Sequence, residues 1–115
     1  MINFLRKIIK NLNDKNITSF KIILNNGEEL PLKDYVLFRN ICGLVAESLY
    51  TDGAGNIRSE EEIKVREKPL SRLKRAGKCV MIIEYSVSED KQLILKERAE
   101  KKKFLIQFLN PLLSL

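Results

Sequence analysis

Along the first dozen residues the apolar positions Ile2, Leu5, Ile8, Ile9 and Leu12 recur at helical spacing, with Arg6, Lys7 and Lys10 opposite. That period predicts an amphipathic helix over 2–13, its apolar face packed on a core. Ile17 to Leu24 is rich in β-branched and apolar residues. Asn25-Asn26-Gly27 then supplies the positive φ angles of a tight turn before Glu28 to Leu32 returns, which predicts a β-hairpin with Pro31 at its edge. From Asp34 to Tyr50, Val36, Leu37, Ile41, Leu44, Val45 and Leu49 repeat every three or four positions, so a long central helix is expected, N-capped by Asp34 and weakened by Gly43.

Asp52-Gly53 and Gly55-Asn56 mark a loop. Residues 59–67 carry two signals. Ser59 followed by Glu62 reads as a capping box, whereas Ile63 and Val65 alternate with polar neighbours, and the alternation favours a strand. Pro69 opens and Gly77 closes a short helix over 69–76. Val80 to Val87 is a strand, Ser88 to Lys91 a turn, Gln92 to Lys96 a returning strand, and Ala99 to Leu109 a final helix that stops before Pro111. The expected fold is therefore a single α+β domain over 1–115, with a mainly antiparallel sheet of two hairpins packed with about four helices.

Composition narrows the chemistry. At 115 residues with 44% apolar and 31% charged positions, one core is sufficient, and no apolar run approaches the ~20 residues of a membrane span. The first helix lacks the features of a secretory signal, which places the chain in the cytoplasm. Cys42 and Cys79 lie among apolar residues and are expected to be free, buried thiols. With no histidine in the chain, His-dependent triads and His-ligated metals are excluded. No cofactor or metal motif is present, and Asp52 to Asn56 reads as a plain turn.

The formal charge of +6 resides in one window. Lys64, Arg66, Lys68, Arg72, Lys74, Arg75 and Lys78 face a single acid, Glu67, and the remaining 14 basic and 14 acidic residues cancel. A helix anchored by Leu70 and Leu73 and studded outward with guanidinium and ammonium groups suits phosphate contact. The order of short basic helix, Gly77, strand, acidic turn, strand and helix resembles the second half of a winged-helix DNA-binding domain, over about 45 residues. The resemblance implies residues 69–76 as the reading helix and Val80 to Lys96 as the wing.

Two further features bear on function. Met81 to Ser86 compares with the metal-binding strand of restriction-like nucleases; Glu84 matches its acid, but Ser86 stands where that strand has lysine, and no partner acid is evident. Residues 104–115 include Phe104, Leu105, Phe108, Leu109, Leu112 and Leu113 among eight large apolar side chains, more than one core face needs, which points to a homodimer interface. The reading is a non-enzymatic protein that contacts DNA or RNA through residues 64–78 and pairs with itself through its C-terminus. The alternative is an inhibitor or adaptor whose basic patch docks on an acidic protein partner.

Overall fold

The computed structural model describes residues 2–16 and 21–110. Helix α1 (Ile2–Asp14) precedes strand β1 (Ile22–Asn25), two short helices α2 (Leu30–Lys33) and α3 (Tyr35–Asn40), β2 (Ile41–Glu47), α4 (Glu60–Arg75), β3 (Cys79–Tyr85), α5 (Glu89–Lys101) and β4 (Leu105–Leu109). The sheet has the order β1-β2-β3-β4 and every pair is parallel. This corrects the expectation of two antiparallel hairpins. Among the described residues there are five helices and four strands, but each strand returns to the sheet through helix rather than through a tight turn.

The corrections share one physical origin. In a parallel sheet a strand reads as a continuous apolar run, and a short run of that kind is indistinguishable by period from a buried helix. Ile41 to Ala46 is such a run: the expected helix over 34–50 is α3 followed by β2. Asp34 does cap α3, accepting from the Leu37 N–H at 3.0 Å. That bond, with the Arg6 guanidinium 2.6 Å from its second oxygen, holds the Asp34 carboxyl below its ordinary range. Gly43 is a strand residue that admits close backbone approach, since a Cβ there would lie 2.8 Å from the Cys79 carbonyl oxygen.

Asn26 and Gly27 do take positive φ, 61° and 71°, yet the chain turns into α2 rather than a second strand. Pro31 sits in the first turn of α2, where its missing N–H costs nothing; residues 17–20 of the expected hairpin lie outside the described residues. Over 59–75 the capping box wins. The Ser59 hydroxyl accepts from the Glu62 N–H at 3.2 Å and α4 runs 16 residues, with Pro69 in its interior rather than at its start. Gly77 (φ 86°) closes it, with Lys78 N–H reaching the Leu73 carbonyl at 3.0 Å and Gly77 N–H the Lys74 carbonyl at 3.0 Å.

The expected wing is absent. Glu89 to Lys101 forms α5, its first turn carrying Glu89 and Asp90, so the winged-helix likeness fails beyond β3. The expected last helix divides into the end of α5 and β4, with Lys103 at φ 63° making the break. Cys42 and Cys79 are free, as expected, but neither is buried: Cys42 is half-buried and Cys79 exposed.

All three connections carry their helices to the same face. Leu24, Leu44, Ala46, Val80 and Ile82 point from the strands into a core closed by Leu37, Ile63, Leu70, Leu73, Leu95 and Ala99 of the helices. Arg66 of α4 pairs with Glu28 beside α2, and Arg98 of α5 pairs with Glu60 and Glu67 of α4. The helix layer therefore runs α2/α3, α4, α5, with α1 tied to α3. Among the described residues no helix is long and apolar enough to cross a membrane.

Replacing Gly43 with Ala should cost about 1–3 kcal/mol, because the new methyl has to displace backbone rather than a flexible side chain. Urea unfolding checks this; an unchanged midpoint would mean that β2 and β3 separate freely at this point.

Candidate functional site

Parallel topology gathers the C-terminal ends of all four strands, and the N-termini of the helices that follow them, at one end of the molecule. At that end the residue after each of the first three strands leaves the sheet with left-handed backbone: Asn26 (φ 61°), Ser48 (φ 52°) and Ser86 (φ 57°). Each still donates its N–H to the neighbouring strand, Asn26 to Val45 at 2.6 Å, Ser48 to Ile83 at 2.8 Å and Ser86 to Leu109 at 3.0 Å. Non-glycine residues in this conformation are strained and persist where the surrounding structure holds them, typically at functional sites.

On the sheet face turned away from the helices these ends converge on a carboxylate. Glu47, last residue of β2, alternates with the inward Ala46 and so projects from the open face. Its Oε1 accepts from the Tyr85 hydroxyl of β3 at 2.7 Å and its Oε2 from Asn26 Nδ2 at 3.3 Å. Asn26 completes the exchange by accepting the Glu47 N–H at 2.8 Å. The ends of three neighbouring strands thus each contribute one side chain to a hydrogen-bonded cluster that solvent reaches. Because ionising the Tyr85 phenol would place a second negative charge on the Glu47 carboxylate, that bond raises the phenol above its ordinary range.

The segment behind the cluster is held from below. Arg66 Nη1 donates to the Glu47 and Ser48 carbonyls at 3.2 and 2.9 Å, and Arg58 Nε donates to the Ser48 carbonyl at 3.2 Å. Further along the loop, Glu84 accepts from Tyr50 N–H at 2.8 Å, Thr51 N–H at 3.2 Å and Thr51 Oγ1 at 2.8 Å. Glu84 faces the helix side and is fully buried, so the acid compared with a nuclease strand is a loop anchor. Burial pushes its carboxyl up, and the three donors pull it back toward the charged form.

Helix dipoles set the charge of the two ends. The first turns of α4 and α5, at the strand-end pole, carry Glu60, Glu61, Glu62, Glu89 and Asp90. The last turns, at the opposite pole, carry Arg72, Lys74, Arg75, Arg98 and Lys101. Both distributions complement the macrodipole. The basic window divides accordingly. Lys64, Lys68, Arg75 and Lys102 line one shallow depression, and Lys74, Arg75 and Lys101 to Lys103 line the next, so the fold adds three lysines at the end of α5 to the predicted set. Arg66 is committed to Glu28 and to carbonyls, Arg72 lines a groove with Asp34 and Phe38, and Lys78 Nζ sits 5.1 Å from the centre of the Phe38 ring.

Of the expected dimer residues, Phe104 is buried in its own core, Leu105, Phe108 and Leu109 belong to β4, and Leu112 and Leu113 lie outside the described residues. Asn26, Glu47 and Tyr85 were not singled out by sequence pattern. The signal that identifies them is an acid ending an apolar run at Ile41 to Ala46, legible once that run is a parallel strand.

No protein family matches the chain. It is similar to the uncharacterized protein MJ1477 of Methanocaldococcus jannaschii, with 37% identity over 87 residues, 74% of this chain and 25% of the relative. The chain thus spans about a quarter of the length of that relative.

The Tyr85–Glu47 bond makes a titration prediction. Since the folded-state phenol is raised, the stability the bond contributes is present below the ordinary tyrosine range and is lost as pH rises through the folded value. Ultraviolet absorbance should show one tyrosine whose upward shift shrinks in Glu47→Gln; an identical curve for that variant would show that the bond does not form in solution.

Proposed function

We propose that the strand-end pole binds a small neutral or cationic molecule rich in hydroxyl or amino groups, and that Glu47 serves there as hydrogen-bond acceptor and general base. The observation that carries this reading is the Glu47 cluster itself: a solvent-reached carboxylate fixed by donors from two neighbouring strands at the C-terminal edge of a parallel sheet. Ligands of open α/β sheets and barrels bind outside these strand ends, where the loops meet. A carboxylate oriented by a phenol and an amide can accept a proton or a hydrogen bond from an O–H or N–H group.

Charge selects the ligand class. Among the described residues no lysine or arginine pairs with the Glu47 carboxylate, and the helix first turns at that pole add further acids. An anion would meet repulsion there. Glucose, glucosamine and glucuronate carry hydroxyl, ammonium and carboxylate on one scaffold, which isolates the charge. Amide shifts of Asn26, Glu47 and Tyr85 should respond most to glucosamine, less to glucose and least to glucuronate, and Glu47→Gln should weaken glucosamine about tenfold or more. Equal binding of all three sugars, or an unaffected variant, would remove Glu47 from the recognition.

The basic pole favours a second reading, in which it contacts the phosphate backbone of DNA or RNA. Lys68, Lys74 and Arg75 are joined there by Lys101 to Lys103, and a cationic surface is what backbone binding requires. About four phosphate contacts would give a log–log salt slope of roughly −3 to −4 on duplex DNA. Lys68→Glu with Arg75→Glu should abolish a mobility shift at low salt, and a shift that survives both changes would end this reading. An acidic protein partner is the outcome favoured if no nucleic acid binds at all.

A further inference from the structure

We propose that the open face of the sheet is covered by a second copy of this chain, β4 of each copy pairing in parallel with β1 of the other to close an eight-stranded barrel with the helices outside. A four-stranded parallel sheet in simple 1-2-3-4 order, with all crossovers on one face, is half of a closed β/α barrel in topology. Among the described residues β1 and β4 each have one strand partner, so two edges are available. A two-fold axis along the barrel joins both pairs of edges at once and leaves none open.

The apolar surfaces left exposed are those such closure would cover. On the open face Ile23 of β1 is 63% and Leu105 of β4 is 53% exposed. Parallel sheets are otherwise buried on both faces. Beyond the β4 edge, Leu93 of α5 is 71% exposed over a groove whose floor includes Ile106 and Phe108. At the opposite end of the helix layer α1 packs beyond α3, and its Phe4 is 66% exposed. Closure brings α5 of one copy beside α1 of the other, so Leu93 and Phe4 fall at the same seam.

The area is sufficient. Strands spaced about 4.8 Å apart and four to seven residues long make a face of roughly 400 Å² per copy. Two such faces, two new strand ladders and two helix seams exceed the roughly 1,200 Å² of a stable interface. The assembly also completes the strand-end pole: one copy supplies half a rim, and two copies place both Glu47 carboxylates around a single mouth. It rests on topology and exposed surface rather than on the ligand reading, and oligomer and sugar assays can fail independently.

Sedimentation of the full chain at tens of micromolar should give a dimer. Leu105→Lys and, separately, Ile23→Lys should each give a folded monomer, since both side chains are already more than half exposed in one copy. In a background lacking Cys42 and Cys79, Asn25→Cys combined with Gln107→Cys should form covalent dimers with a short thiol cross-linker, because those positions lie on the edge strands that meet. A monomer at that concentration would overturn the proposal and assign the open face to further polypeptide or to a foreign partner. A dimer that survives both lysine substitutions and fails to cross-link would overturn it equally.

Discussion

Parallel pairing is the constraint from which the rest of this structure follows. A parallel strand cannot be joined to its neighbour by a tight turn, so each chain segment leaves the sheet at one end and crosses back over a face before re-entering at the other. Three such crossings place α2/α3, α4 and α5 side by side on one face. They also divide the molecule into two chemically different poles. Strand ends and helix starts lie together with acids and hydrogen-bonding side chains; helix ends lie together with lysines and arginines. The helix dipole favours both distributions, so Arg72, Lys74 and Arg75 stabilise the end of α4.

The buried polar residues secure this arrangement. Tyr50 links two carboxylates: its N–H donates to Glu84 at 2.8 Å and its hydroxyl to Glu67 at 3.1 Å. Arg98 then joins Glu67 to Glu60, with contacts of 2.7 Å to each. The chain of bonds runs from β3 through the loop after β2 and across α4 to α5. Every buried side-chain polar atom among the described residues has a partner, the condition under which buried charge is tolerated. Truncating Glu67 would leave the Tyr50 hydroxyl unpaired in a dry interior. Because the same loop begins at Glu47 and Ser48, the network also fixes where the exposed carboxylate projects.

The local elements legible in the sequence were those whose signals come from neighbouring residues. The first helix, the Asp34 cap, the Gly77 stop and the strand from Val80 rest on spacing, capping chemistry and permitted φ angles, and each stands in the fold. Ser59 and Glu62 gave a true capping signal that a competing alternation in Ile63 and Val65 obscured. The alternation is incidental, since Ile63 is buried while Val65 is 73% exposed on the side of α4.

By itself, then, the sequence determined the first helix, the Asp34 cap and the Gly77 stop, the absence of histidine and the concentration of positive charge between Lys64 and Lys78. Only the tertiary structure decided that Ile41 to Ala46 and Leu105 to Leu109 are strands, that the sheet is parallel, and that Arg66 supports a loop while Lys101 to Lys103 join the basic pole. The reason is physical. Whether an apolar run becomes strand or helix depends on what buries its two faces, and Asn26, Glu47 and Tyr85 come together only because three strands, distant in sequence, end at the same edge.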